Sequence, residues 1–371
     1  MPSVYFETIT SKQAFRRHAG NPTPLYCRQQ HELPAASDWS TQELFASRVV
    51  VHNVRGGVLK HRIPHSSSGF LRPPPRQSSA ELSKIIVPLP PGDQDLTETE
   101  LIHRLGGTAG MFWAALLHSF ASDNAGHVSR EEHAAWAMSE DATVQLASTF
   151  LRHALVHCPL QEVTAIGPTP QLLLEFSGIR RRMLTHFGEG TLELEATADG
   201  EVALLRKDAT GRFVHLGQAV MLLEAKKRFE LVREGKPLIT DNVLGQMLAE
   251  ALTLRLSFSA AESGYFEDTI VIVAATRQYL CFISFYIPDP YVEKLQKGSA
   301  NDDMDVEPPR YDSDEDGDLE YEGEEGKGGE EDDEFITVRA TDWLDLSTER
   351  CRQLACDNIS ALVDWQLNKI G

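Results

Sequence analysis

Apolar positions are patterned unevenly along the chain. Residues 1–98 are rich in turn formers, with "SSSGFLRPPPRQSS" and "VPLPPGD" as breakers, which predicts an irregular, poorly ordered region holding only short strands such as "SRVVVHNV". From Thr97 the spacing turns helical. "LTETELIHRLGGTAGMFWAALLHSFA" and "SREEHAAWAMSEDATVQLASTFLRHALVHC" each open on a capping box, Thr97 with Glu100 and Ser129 with Glu132, and predict a helical section over 99–160. After "IGPTP", the run "QLLLEFSGIRRRMLTHFG" predicts a helix stopped at Gly188. "GTLELEATADGEVALLR" alternates like a hairpin, and "FVHLGQAVMLLEAKK" supplies the next strands across the turn "KDATG". Thr240 and Asp241 cap "DNVLGQMLAEALTLRLSF", where Val243, Leu244, Met247, Leu248, Ala251 and Leu252 form one helical stripe. "DTIVIVAATRQYLCFISFYIP" gives two strands, "FITVRATDWLDLS" another, and "TERCRQLACDNISALVDWQLN" a closing helix.

Helix, strands, helix, strands, helix from residue 161 to 371 describe an α/β (α+β) fold in which helices flank one mixed sheet. Charge alters this picture at one place. Between Asp302 and Glu334 there are 18 acidic residues against Arg310 and Lys327, so this stretch carries −16 of the chain's −20 and leaves −4 on the rest. Its low-complexity sequence cannot bury enough apolar surface to offset its ordering entropy, which predicts a disordered insertion over about 299–334. A sharper reading makes it the contact for a basic protein partner, or a mimic that competes with nucleic acid for the chain's own site.

Composition narrows the class without naming an activity. A 42% hydrophobic content over 371 residues is ordinary for a protein with a real core. Cys27, Cys158, Cys281, Cys351 and Cys356 form no CxxC pair and fit neither a disulfide framework nor a zinc ribbon. With no signal-like apolar run at the start and no stretch of roughly 18 apolar residues, the expectation is an intracellular protein, nuclear or cytoplasmic, without a membrane partner. "ASDNAGHVSREE" has Gly126 and Glu132 at calcium-loop spacing, but Ala121 and Ala125 stand at ligand positions, so it reads as a helix connection. "RLGGTAG" lacks the Gly-Lys-Ser/Thr of a phosphate loop, and His52, His61 and His65 have no ligand-spaced partners.

Chemistry concentrates at the end of "AVMLLEAKK". Side chains two apart share a strand face, so Glu224 and Lys226 project together while Ala225 points away. Charges there are costly to desolvate unless paired or used. If the strand after Asp199 pairs with this one through the Lys207–Gly211 turn, Asp199 reaches the same end of the sheet. Two carboxylates and the carbonyl of Ala225 would then suit Mg2+ or Mn2+, hard ions that prefer oxygen ligands. Arg180, Arg181 and Arg182, on the predicted helix, together with Lys227 and Arg228, could neutralise backbone phosphates.

This arrangement, Asp199 with Glu224-Ala225-Lys226 and a following helix holding "QMLAE", resembles the PD-(D/E)XK nuclease superfamily, also called restriction-endonuclease-like, including uncharacterised fungal members. The resemblance spans about residues 161–371. It implies an αβββαβ core, Asp199 and Glu224 as metal ligands, Lys226 as the catalytic lysine, and Gln246 as a helix residue facing the site. Glu175 could match a further acidic position, and Gln246, Glu250 and Thr253 flank the apolar stripe at the site's rim. The proline that precedes the family's aspartate is replaced by Ala198. The implied activity is metal-dependent hydrolysis of nucleic-acid phosphodiesters, DNA ahead of RNA. The alternative is an inactive member of the fold acting as a nucleic-acid- or protein-binding module through the acidic insertion.

Overall fold

The computed structural model describes residues 4–29, 33–53, 79–124, 139–159, 172–188, 190, 192–257, 268–298 and 335–368. The second capping box, most of the calcium-like loop, His61, His65 and the acidic insertion lie outside the described residues. In chain order the helices and strands are α1 (Tyr5–Thr8), α2 (Lys12–His18), α3 (Thr41–Ala46), β1 (Val49–Asn53), α4 (Ala80–Ile86), α5 (Glu98–Leu105), α6 (Gly107–Asn124) and α7 (Glu140–Val156). They continue as β2 (Leu172–Ser177), β3 (Arg181–Phe187), β4 (Leu192–Ala198), β5 (Gly200–Lys207), β6 (Phe213–Lys226), β7 (Leu231–Arg233), β8 (Lys236–Leu238) and α8 (Asp241–Leu256). The chain then forms β9 (Thr269–Thr276), β10 (Tyr279–Tyr286), α9 (Asp289–Lys297), β11 (Ile336–Ala340), β12 (Leu344–Asp345) and α10 (Glu349–Asn368).

One mixed sheet organises the molecule, with strand order β1-β11-β10-β9-β6-β5-β2 and β12 paired to β10. The β6/β9 and β1/β11 pairs are parallel and the other pairs antiparallel. Connection through α8 is what lets β6 and β9 lie parallel, since a parallel pair needs a crossover. Alternation along the strands then divides the core between two faces. Leu222, Ile272, Ala274, Ile283 and Phe285 face α8, α9, the N-terminal helices and the β3/β4 hairpin. Leu223, Ala225, Val273, Ala275 and Phe282 face α4 to α7 and α10. Both faces of β6 are apolar because both are covered.

Two local expectations change. Where one helix is predicted, residues 172–187 form two strands: burial alternates along both β2 and β3, with Leu172, Leu174 and Phe176, then Met183, Thr185 and Phe187, pointing inward. A short apolar run reads equally as helix or strand until its partners are known. The stretch across Asp199 is not a hairpin either. β4 pairs with β3 in a separate ribbon, whereas β5 enters the main sheet between β2 and β6, so the chain changes sheets at Asp199. The N-terminal stretch forms the short strand expected at "SRVVVHNV", which joins the sheet as β1, and it packs on α8. Tyr5 donates its backbone N–H to Asp241 Oδ1 (2.8 Å) and its hydroxyl to the Val49 carbonyl (2.7 Å), and Trp39 is wholly buried. Its helices are too short to show periodicity, and its burial depends on partners some 200 residues away.

Candidate active site

Pairing of β5 with β6 places Gly200 opposite Leu223, and this register brings Asp199 beside the end of β6. Gly200 is needed there: a Cβ would lie 3.0 Å from both the Phe176 ring and the Ser177 carbonyl oxygen. Asp199 is held from both sides of its carboxylate. Its Oδ2 accepts the Ala225 N–H at 3.0 Å, its Oδ1 meets Arg180 Nε at 3.2 Å, and its own N–H donates to the Leu223 carbonyl.

Glu224 and Lys226 share the α8 face of β6, as their spacing requires, while Ala225 is buried on the opposite face. Lys226 Nζ lies 2.7 Å from Glu224 Oε1 and donates to Gln246 Oε1, also at 2.7 Å. Gln246 Nε2 donates to Glu224 Oε1 (2.6 Å) and to Glu250 Oε1 (3.1 Å). Gln246 therefore joins the strand pair to the helix.

Burial sets the electrostatics. Desolvation pushes the Glu224 carboxyl up to about 7, helped by the charge of Asp199 and opposed by Lys226. Burial and the neighbouring Glu224 raise Glu250 as well. Burial alone would lower Lys226, but the Glu224 carboxylate outweighs it and the ammonium is held above its ordinary value. The raised values of Glu224 and Glu250 are the consequence of crowding two acids in the interior, where the protonated form of one can bond the other.

Asp199, Glu224, Lys226 and Gln246 are brought together. Glu250 and Thr253 are not at a rim but fully buried, Glu250 against Gln246 and Glu224 and Thr253 with its hydroxyl donating to the Ala249 carbonyl. Glu175 is exposed on β2 opposite Ala203 and takes no part. The three arginines do not form one patch, since each is taken by a different carboxylate. Arg181 pairs with Glu201, Arg182 makes a two-bond pair with Glu195 (2.6 and 2.7 Å), and Arg180 alone turns to the site. Lys227 and Arg228 are exposed just beyond β6, and Arg228 lines a cleft with Glu224, Lys226, Phe229 and Trp343. Sequence reasoning missed Glu140, the first residue of α7, whose Oε1 lies 3.4 Å from Arg180 Nη2. Its signal was the N-cap Ser139 with the acidic first turn Glu140 and Asp141.

Among the described residues, no group of three or more His, Cys, Asp or Glu side chains is arranged as a finished metal site. The donors available are nevertheless of the right kind for a hard divalent ion. They are the carboxylate oxygens of Asp199 and Glu224, although the Arg180 guanidinium already rests on Asp199 Oδ1. No helix of the described residues is long and apolar enough to cross a membrane. No protein-family model and no curated protein matches the chain.

Proposed function

We propose that the chain is a PD-(D/E)XK-type nuclease that hydrolyses nucleic-acid phosphodiesters with Mg2+ or Mn2+, DNA ahead of RNA. The observation that carries this reading is the register that sets Asp199 beside the Glu224 and Lys226 pair at one end of a covered central strand. The order α7, β2, β5, β6, α8, β9, with the β3/β4 ribbon inserted, agrees with the αβββαβ core that the resemblance implies.

Asp199, Glu224 and the carbonyl of Ala225 would hold the ion. When bound, it neutralises the phosphodiester and lowers the pKa of a coordinated water. The protein's own contribution is positioning. Lys226, charged and fixed by Glu224 and Gln246, presents an ammonium that orients the attacking water and offsets negative charge developing on the phosphate. Arg180, Lys227 and Arg228 lie on the exposed side, where they can contact flanking phosphates. Arg182 is tied to Glu195 and contributes less.

Purified protein incubated with DNA or RNA and MgCl2 or MnCl2 should cleave, and Glu224→Ala and Lys226→Ala should each lose on the order of 100-fold or more of the rate. Equal cleavage by all three proteins, or none by any, rejects the assignment.

A further inference from the structure

The cleft beside Glu224 and Lys226 opens where the parallel strands β6 and β9 end side by side. Open α/β sheets place their ligands in such crevices, outside the carboxyl ends of the strands. One wall is aromatic. Phe229, just past β6, packs edge-on against Trp343, just before β12, with ring centres 5.0 Å apart at 82°, and against Tyr279 at 5.2 Å and 67°. All three rings are half-buried, and Phe229 and Tyr279 belong to neither core. The rest of the lining is largely polar. Arg228 is exposed and makes no ion pair with another described residue. Thr276, 3% exposed at the end of β9, has a hydroxyl that bonds to no other described residue, whereas Glu230 accepts the Thr240 hydroxyl proton. The space is small, about 330 Å3 even counting its open mouth, so it admits one flat ring against the wall and not a stacked pair.

We propose that this cleft seats an unpaired base next to the reacting phosphate, stacked on the Phe229 and Trp343 wall with its phosphate at Arg228, and that the preferred substrate is therefore single-stranded nucleic acid. Every base has a π-face that stacks on an aromatic ring, and a cation at the rim tracks the backbone. In a duplex both faces and the pairing edge of a base are already taken, whereas an unpaired base offers a face to the wall and an edge to Thr276. This rests on the nuclease reading of Glu224 and Lys226 and names the strand form that site would take.

The test is binding without divalent metal, read as the anisotropy of a short labelled thymidine strand, the same strand built of abasic residues, and its duplex with the complementary strand. The full chain should bind the intact strand more tightly than either of the others. Trp343→Leu should weaken that binding about 5-fold or more, the effect of losing one stacked base, and leave the abasic strand and the duplex unchanged. Trp343→Tyr, which keeps a ring to stack on, should retain most of the affinity. An abasic strand or a duplex bound as tightly as the intact strand overturns the inference. So does a loss in Trp343→Leu that falls equally on all three probes, the mark of a merely structural role. Should Trp343→Leu not fold, Phe229→Leu is judged by the same comparison. A wild type that binds none of the probes overturns the inference too, while the nuclease reading stands or falls separately, on the cleavage assay.

Discussion

At Gly245 the N-terminal segment and the site helix meet. A Cβ there would fall 2.7 Å from both the carbonyl carbon and the oxygen of Trp39 and 3.0 Å from Ser40 N, all backbone atoms that cannot turn aside. Gly245→Ala should therefore destabilise the protein. Overpacking costs about 1–3 kcal/mol, against a helix-propensity gain of about 1 kcal/mol. A thermal melt checks this, and an unchanged or raised midpoint would show that the segment around Trp39 does not press on α8. The next residue, Gln246, faces the site and links Lys226, Glu224 and Glu250, a link that the helical spacing did not give. The burial of Glu250 was not readable from the helical stripe, because that stripe describes only one covered side, whereas α8 is covered nearly all round.

Among the elements, α7 supports the sheet face opposite α8 and carries the titration most open to test. His153 is buried between α4 and α6. Its Nε2–H donates to the Glu81 carbonyl (2.9 Å), which can only accept, so Nδ1 accepts the Thr108 hydroxyl proton (2.7 Å). Burial lowers its pKa from 6.5 to about 4, with the charges of His157 and Lys84 adding to the effect. A depressed folded-state value means that the unfolded chain binds the proton first. The stability tied to neutral His153 is thus fully present above about pH 6.5 and is lost as the pH falls toward about 4, a difference of up to about 3 kcal/mol. The melting temperature should fall across that window in the wild type, and less in His153→Gln, which cannot titrate; parallel curves would refute the role given to His153. Helix α5 was legible because caps are local signals, and its Thr97 and Glu100 box is formed in full, whereas the cap of α7, Ser139, was not read from the sequence.

For the whole molecule, charge distribution matters more than total charge. Replacing residues 302–334 with a short Gly/Ser linker removes −16 and leaves −4. On the proposed nuclease reading, affinity for nucleic acid should then rise, with the larger gain at low salt, because a charge of −16 would repel phosphates. Titration of both proteins with a labelled oligonucleotide at two ionic strengths measures this. Equal affinities at both would assign the insertion no electrostatic part at the site.

By itself the sequence determined the sharing of one face by Glu224 and Lys226, the central covered position of β6, the caps of α5 and α8, the mixed α/β class and the concentration of charge in one stretch. Each follows from a period of 2 or 3.6 residues, from local hydrogen bonding, or from counting. Tertiary structure decided the rest. That residues 172–187 form strands depended on β5 and β4 being available as partners. That Asp199 marks a change of sheets depended on which strand β4 chose. That Glu250 lies inside depended on α8 packing against the end of β6, and that Arg180 turns to Asp199 depended on the chain changing sheets there. These outcomes rest on contacts between residues far apart in the chain, whose desolvation no local pattern records.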